Sequence, residues 1–365
     1  MTRIVGIDLA RCLALLGMMT AHLIGRETGT GQVWFQVVSG RSAALFAVLA
    51  GVSIALVSRA LLIAVMGLFL GIPDSGLAVI LTYYGVLFLV AVPVITWSAK
   101  RLALLAVAWG LLSPVVSLAV RPHLPLTTYD VPTPASLSDP LTLLTELTIT
   151  GYYPVLTWAT YLFAGMAIGR LDLRSAVVRR WLVVLGGWGG VFALALERLA
   201  LRSDAARASL LETYDRWEAV ANWADLDGVL ELGLYGVTPT GSWNWLWVWS
   251  PHSGSIVDLA HTVGCSMFVI GLSLIVVHLA GRGQRVVQVL AGAGTMTLTL
   301  YAAHVAVVAW GLHVAGYGSP VWALSLRVHL IGALLIGAAF AALRWRGPLE
   351  RLVGEVSGAV GRVGR

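Results

Sequence analysis

Three features of the amino-acid sequence predict an all-α polytopic membrane protein. Of the 365 residues, 58% are hydrophobic and only 12% are charged, and the mean hydropathy is +0.84. A soluble domain is about half apolar and about a quarter charged, so this chain has too few charged groups to cover a water-exposed surface. Apolar runs of the length needed to span a bilayer, about 20 residues, recur along the sequence. The composition also excludes a disordered chain, a collagen-like fibre and a disulfide scaffold.

We expect about ten transmembrane helices within one domain, residues 1–365. The candidate spans lie at 5–24, 40–57, 60–72, 77–97, 102–120, 153–169, 181–197, 257–280, 294–315 and 321–343. The first carries Asp8 and Arg11 inside its apolar run and lacks a small-residue cleavage site, so it is interpreted as a span and not as a signal peptide. The third is too short to cross alone. It is either a half-span or, as we favour, the remainder of a helix whose preceding cytoplasmic loop is missing near residues 58–61.

The distribution of basic residues predicts the orientation. With the N-terminus inside, fifteen of the 24 Lys and Arg residues fall in cytoplasmic segments, which carry only three acidic residues. Cytoplasmic loops of membrane proteins are enriched in this way. Both termini are therefore predicted to be cytoplasmic, with a basic tail, residues 344–365, against anionic lipid. This accounts for the pI of about 9.6 without a nucleic-acid partner. The expected location is the plasma membrane, in a bacterium the cytoplasmic membrane.

Two long segments, residues 121–152 and 198–256, are predicted to be external. The second carries seven acidic residues, followed by Trp243, Trp245, Trp247 and Trp249. Tryptophans in such a place are typical of an interfacial belt, which is the preferred interpretation. The alternative is that Trp243 and Trp245 stack against a sugar or a lipid headgroup, because aromatic faces suit both. His252, just outside the eighth span, would face the same external vestibule.

The first span contains three ionisable residues, which are costly in a membrane and therefore mark a candidate site. At about 100° per residue, Asp8, Arg11 and His22 share a face about 60° wide. The Asp8–Arg11 pair is either a structural lock or a donor-binding pair. Arg11 and His22 are separated by about 16–17 Å along the helix, which is about the reach of a pantetheine arm. We expect Arg11, oriented by Asp8, to bind the phosphate or pantetheine region of an acyl donor and His22 to act as a base.

Three further residues complete the predicted site. Arg41 enters the second span from the external side, near the depth of His22, and needs an anionic partner or a polar cavity. It is expected to contact the donor and to stabilise an oxyanion. Tyr301 and His304 lie one turn apart in the ninth span and are assigned to the same catalytic group, although a hydrogen-bonded core pair is the alternative. His252 and His261 are nine residues apart with Asp258 between them, which is poor metal-ligand spacing for one helix face, so no metal is predicted.

Several segments of the sequence are similar to one known family. RIVGIDLARCLALLGMMTAHL (3–23) resembles the opening of the transmembrane acyltransferases, which include heparan-alpha-glucosaminide N-acetyltransferase and the YeiB-like bacterial membrane proteins. SGRSAALFAVLAGVSIAL resembles their second span, and ILTYYGVLFLVAVPV, GYYPVLTWATYLFAGMAIGRLDL and LTLYAAH resemble later segments. The resemblance covers most of the spans but not the external segments, and it depends on the order of the motifs.

The resemblance implies an enzyme that moves an acyl group, typically acetyl, from cytosolic acetyl-CoA or another acyl-CoA to an external carbohydrate or glycolipid. It places His22 where the animal enzyme has a functional asparagine, while the loop that holds that enzyme's catalytic histidine has none here. Either His22 has taken over as base, which we expect, or a different step is catalysed. The alternative function is a transporter or flippase in which Asp8, Arg11 and His22 line the pathway. Membrane lipids are expected partners, and a homodimer is left open.

Overall fold

The computed structural model describes residues 3–24, 30–53, 57–125, 130–215, 220–280, 284–315 and 324–363. The helices are α1 Val5–Leu23, α2 Thr30–Val38, α3 Arg41–Val52, α4 Val57–Gly71, α5 Leu81–Val90, α6 Ala99–Val120, α7 Pro140–Thr145, α8 Val155–Gly169, α9 Ala176–Ala200, α10 Asp204–Glu212, α11 Trp223–Leu232, α12 Ile256–Ala280, α13 Arg285–Gly294, α14 Thr297–Ala315, α15 Leu326–Ala342 and α16 Pro348–Val363. These ranges contain no strand, so the predicted all-α class is confirmed.

Six helical segments in the described ranges are long and apolar enough to cross a membrane: Val5–Leu23, Thr30–Val52, Ala99–His123, Ala176–Ala200, Ile256–Ala280 and Thr297–Ala315. Four shorter apolar helices accompany them: Arg59–Gly71, Leu81–Val90, Val155–Gly169 and Leu326–Ala342. Large apolar side chains such as Leu104 and Trp188 point outward on α6 and α9. The chain is therefore a helical membrane protein. Each of the ten predicted segments contains a helix, while the number of crossings and their direction stay predictions.

The second span differs from its predicted position. Residues 40–57 were expected to form it, but the helical segment runs over Thr30–Val52, with α2 in a region read as loop. Gly40 has a positive φ of 70° and separates α2 from α3. That conformation suits a glycine, and it interrupts the helix without reversing the chain. Arg41 consequently lies in the interior of this segment and not at its start.

The bundle is held together where backbones approach closely. A Cβ atom added at Gly165 of α8 would lie 1.9 Å from the carbonyl oxygen of Val48 in α3. One added at Gly264 of α12 would lie 2.6 Å from the backbone nitrogen of Gly190 in α9. Small residues allow such contacts between membrane helices, where dispersion and not water exclusion supplies the attraction. These crossings fix α3 against α8 and α9 against α12.

The segment between α9 and α12 forms a separate lobe, which we call the cap, residues 201–215 and 220–255. Its core packs α10 and α11 around Trp245, which is fully buried, and against Leu118 at the end of α6. Ser203 and Asn222 cap the N-termini of α10 and α11 by accepting backbone N–H groups. The acidic segment therefore folds as a lobe with its own apolar core.

Candidate functional site

Asp8 forms the ion-pair cluster that the first span predicts. It is 4% exposed, and its two oxygens accept from different arginines: Arg3 Nε at 2.6 Å and Arg11 Nη1 at 3.0 Å. Arg11 also donates through Nη2 to Ser53 Oγ at 2.5 Å, which ties α1 to the end of α3. The three-residue spacing thus places Asp8 and Arg11 side by side, as expected. The second arginine, Arg3, was not expected in this cluster.

Two adjoining cavities lie at the end of the bundle where α1 begins, which we call the basic end. The outer one, the vestibule, has a volume of about 600 Å³ and is lined by four arginines, Arg3, Arg59, Arg344 and Arg346. The inner one, the chamber, has a volume of about 310 Å³, and Arg11 lines it together with mostly apolar groups such as Phe46 and Leu49. The two cavities share Arg59, Thr295, Leu298, Glu350 and Val353 as walls. A ligand with an anionic head and an apolar arm would match this sequence of surfaces.

The last helix closes the basic end. Glu350 of α16 accepts the backbone N–H groups of Leu298 and Thr299 at 2.8 and 3.2 Å, which are N-terminal donors of α14 without helical partners. Thr299 Oγ1 donates to Glu350 Oε2 at 2.5 Å and accepts from the backbone of Leu349 at 3.1 Å. The N-termini of α14 and α16 therefore cap each other. The predicted basic tail, residues 344–365, forms a docked helix over its described part.

Three histidines from three helices form a hydrogen-bonded chain. His22 Nδ1 of α1 lies 2.9 Å from His304 Nε2 of α14, and His304 Nδ1 lies 2.9 Å from His329 Nδ1 of α15. His304 and His329 are 2% and 7% exposed. Because each neutral imidazole donates from one nitrogen and accepts at the other, a proton added at His22 can shift through His304 to His329. The structure thus brings His22 and His304 together and adds His329, a residue outside the predicted site.

The chamber stops one helical turn before this histidine chain. Its innermost walls include Met18 and Tyr301, which precede His22 and His304 by four and three residues. These spacings correspond to about 6 and 4.5 Å along the two helices. Tyr301 Oη accepts the backbone N–H of Ile80 at 3.3 Å. The side chains of Met18 and Tyr301 therefore separate the chamber from the imidazoles.

Arg41 lies elsewhere. Its Nε donates to His261 Nε2 at 2.9 Å, its Nη1 donates to the carbonyl oxygens of Gln36 and Val37, and its guanidinium stacks over the Trp249 ring at 4.8 Å. It lines a separate cavity, the groove, on the opposite face of α1 from the chamber. Arg41 was expected beside His22. The correction follows from the early start of this helical segment, which places Arg41 and Ser42 level with Gly17 of α1 and not with the C-terminal end of that helix.

The predicted acceptor residues have different surroundings. Trp245 is fully buried in the cap, with its Nε1 donating to Thr213 Oγ1 at 2.9 Å, so it offers no ring face to a ligand. Trp243 is 59% exposed on the cap surface. His252 is half-buried in a ring cluster whose other members are Tyr152, Tyr153 and Trp158, at centroid distances of 5.1, 5.6 and 6.3 Å. The structure therefore buries the ring that was assigned to substrate binding, and the roles of Trp243, Trp245 and His252 stay predictions.

A polar cavity beside the cap combines tryptophan rings with charged side chains. This cap pocket has a volume of about 390 Å³ and is lined by two tryptophans, two arginines and three carboxylates: Trp223, Trp249, Arg198, Arg207, Glu197, Asp227 and Glu231. The guanidinium of Arg207 lies 5.2 Å from the Trp223 ring centre. Gln32 and Gln36 of α2 donate to Glu231 Oε2 at 3.2 and 2.7 Å. Both tryptophans are half-buried, and each has a guanidinium over its ring, so the pocket offers a saccharide mainly its charged hydrogen-bonding groups.

Within the described ranges, no group of three or more His, Cys, Asp or Glu side chains could hold a metal ion. Both cysteines, Cys12 and Cys265, are free. Compared with known proteins, the sequence matches no family model, and a search of the curated proteins finds no significant relative.

Proposed function

We propose that this protein is a transmembrane acyltransferase that moves an acyl group, typically acetyl, from cytosolic acyl-CoA to a carbohydrate or glycolipid across the bilayer. The observation that carries the proposal is the order of surfaces along α1: an arginine-lined vestibule, an apolar chamber containing Arg11, and a histidine chain one turn beyond. The family resemblance of the first two spans agrees with this order. In the proposed orientation, the basic end faces the cytoplasm of a bacterial cell, and the cap faces outward.

Each surface matches a part of the donor. Coenzyme A carries a 3′-phosphate and a diphosphate, which guanidinium groups bind through paired hydrogen bonds. Arg344 and Arg346 of the vestibule are suited to these phosphates, and both lie outside the ion-pair cluster of Asp8. The pantetheine arm is neutral and narrow, so it fits the chamber past Arg11. Its thioester would then approach the histidine chain once the side chains of Met18 and Tyr301 turn aside.

The proposed reaction is a direct transfer. The acceptor hydroxyl or amine attacks the thioester carbonyl, and His22 receives its proton and shares the charge with His304 through their hydrogen bond. The hydroxyl of Tyr301 donates to the oxyanion, since no acceptor for its proton is formed within the described ranges. The new C–O or C–N bond replaces the C–S bond, and the proton returns to the departing CoA sulfur. Arg41 has no place in this scheme, because it lies on the other face of α1.

Label transfer from radioactive acetyl-CoA to membrane glycolipids tests the proposal. His22→Ala should lower the rate by about 10²–10⁴-fold, the usual contribution of a general base. His278→Ala is the matched control, because His278 is exposed near the end of α12, and it should leave transfer unchanged. Equal transfer by wild type and His22→Ala would remove His22 from the mechanism.

CoA binding separates the enzyme from the transporter alternative. The break between α13 and α14 at residues 295–296 is a feature that transporters also have. Acetyl-CoA should raise the unfolding temperature of the purified protein in detergent, and Arg344→Gln should reduce that shift. Absence of any stabilisation in wild type would favour a transporter of another solute.

A further inference from the structure

The groove beside α1 holds an arginine without an acidic partner. It is a cavity of about 540 Å³ between α1, α3, α9 and α12. Its walls are apolar, and residues at its rim, Leu13, Val191 and Phe268, are 42%, 62% and 38% exposed, so the groove opens toward the surrounding lipid. Glycines of α9 line one side and keep it open. Such a shape suits an acyl chain and not a water-soluble ligand.

The charge of the polar end of the groove is set by a hydrogen bond. His261 accepts the guanidinium N–H of Arg41 at Nε2, so its own proton is on Nδ1, which lies 2.9 Å from the carbonyl oxygen of Gly190. An imidazole that accepts from a cation is neutral. The cluster of Arg41, His261 and Cys265 therefore carries the positive charge of the guanidinium.

No carboxylate in the described part of the chain lies within ion-pair distance of Arg41. Asp258, one turn before His261, interacts with Arg41 only over a longer range, and its Oδ2 accepts the backbone N–H of Gly254. The guanidinium Nη2 finds no oxygen acceptor within the described ranges, and the neighbouring Trp249 Nε1 is buried without one. A cation in a membrane needs an anionic partner. Arg41 lines the groove, so its guanidinium is left as a donor for a ligand there, whereas Trp249 lines the cap pocket.

We infer that the groove binds a lipid with a phosphate headgroup. Arg41 would bind the phosphate, and the acyl chain would lie along the groove between α1 and α9. The depth of Arg41 and His261 is compatible with a lipid phosphate. His261 follows the first residue of α12 by five positions, which places it about 7–8 Å from that end of the helix. A lipid phosphate reaches this depth when an arginine draws it inward, as such groups do beside charged residues in bilayers. This site is independent of the proposed acyl transfer.

Native mass spectrometry of the purified protein with added lipid tests the inference. Wild type should retain one phosphatidylglycerol molecule, and diacylglycerol with the same chains should be retained at least about tenfold less, because it lacks the phosphate. Arg41→Gln keeps a donor for the Gln36 carbonyl but removes the charge, and it should lose phosphatidylglycerol by about the same factor. Equal retention of both lipids, or full retention by Arg41→Gln, would overturn the inference. Displacement of the lipid by millimolar inorganic phosphate would overturn it too, since it would indicate a free-anion site.

A pair of glycines on α9 provides a second test that leaves Arg41 intact. A Cβ atom at Gly187 would lie 3.5 Å from the Phe268 ring, which is an ordinary contact, and a longer side chain there would enter the groove. A Cβ atom at Gly189 would meet nothing within 4 Å. Gly187→Leu should therefore abolish phosphatidylglycerol retention, while Gly189→Leu should preserve it. Equal behaviour of the two variants would show that the lipid lies elsewhere.

Discussion

Glu350 is the residue whose replacement should move stability and donor binding in opposite directions. It accepts three hydrogen bonds from the start of α14, and it also lines the vestibule beside four arginines. As a cap it stabilises the fold. As a carboxylate in the vestibule it opposes the binding of an anionic ligand. Glu350→Gln removes the charge while keeping an oxygen acceptor of similar shape.

The expected size of each effect follows from these contacts. Losing a helix cap costs about 0.5–2 kcal/mol, and the replaced carboxylate leaves two of its three donors with weaker partners. At about 2 °C per kcal/mol, the unfolding temperature should fall by about 1–4 °C. Removal of one like charge near a bound phosphate contributes about 1 kcal/mol, which corresponds to a roughly fivefold tighter Kd for CoA.

The two effects need separate assays and a matched control. Unfolding can be followed with a thiol-reactive dye, because Cys12 is fully buried and reacts only when α1 is released; a Cys265→Ala background makes it the single reporter. CoA binding can be followed by titration calorimetry. Glu355→Gln is the control: Glu355 is 62% exposed on the same helix, pairs with Arg351 and lines neither cavity. It should change neither quantity.

One outcome would refute this reasoning. If Glu350→Gln weakened CoA binding in proportion to the loss of stability, the carboxylate would act only by holding α16 in place. The vestibule would then not be where the phosphates bind.

Two further substitutions test the packing of α1 and the end of the chamber. Gly294→Ala should lower the unfolding temperature by several degrees, because its Cβ would lie 1.7 Å from the Asp8 carbonyl oxygen and overpacking costs about 1–3 kcal/mol. Gly332→Ala, with nothing within 4 Å, should not lower it, and equal effects would contradict the tight α1–α13 contact. Met18→Trp should block the path to the histidine chain and reduce acyl transfer by about tenfold or more with an unchanged Kd for CoA. Leu104→Trp, 62% exposed on α6, should alter neither, and transfer by Met18→Trp at the wild-type rate would exclude this path.

The sequence predicted the contacts that depend on one helix. Helical spacing alone places Asp8 beside Arg11, and it sets Tyr301 one turn from His304. The apolar runs also overlap all six helical segments of the described ranges that are long enough to cross, although the second begins ten residues earlier than predicted. These inferences succeeded because a helix has a fixed rise and rotation, so positions along it determine which side chains share a face.

Contacts between helices were not predictable in the same way. His329 lies twenty-five residues from His304, and the two rings meet only through tertiary contacts, in which α15 packs against α13 and α1. Arg41 was misplaced because Gly40 was read as the end of a loop, although it interrupts a continuous helical segment. Trp245 was read from its sequence neighbours as an exposed residue, but the fold of the cap buries it. The sequence did contain one indication of where Trp223 lies. Asn222 is a favourable N-cap residue, and it directly precedes Trp223, the first residue of α11.

The first helix separates two compartments, and this limits where the proposed transfer can occur. One face of α1, with Arg11 and Met18, lines the chamber, and the opposite face, with Leu13 and Gly17, lines the groove. A Cβ atom at Gly17 would lie 2.1 Å from Ser42 Oγ, so α1 and α3 leave no passage between them at mid-depth. An acceptor that arrives from the groove or from the cap can therefore meet the acyl donor only around the end of α1. His22 is the residue before the last of that helix, so of the three ionisable residues of the predicted site on α1 it lies nearest to this end.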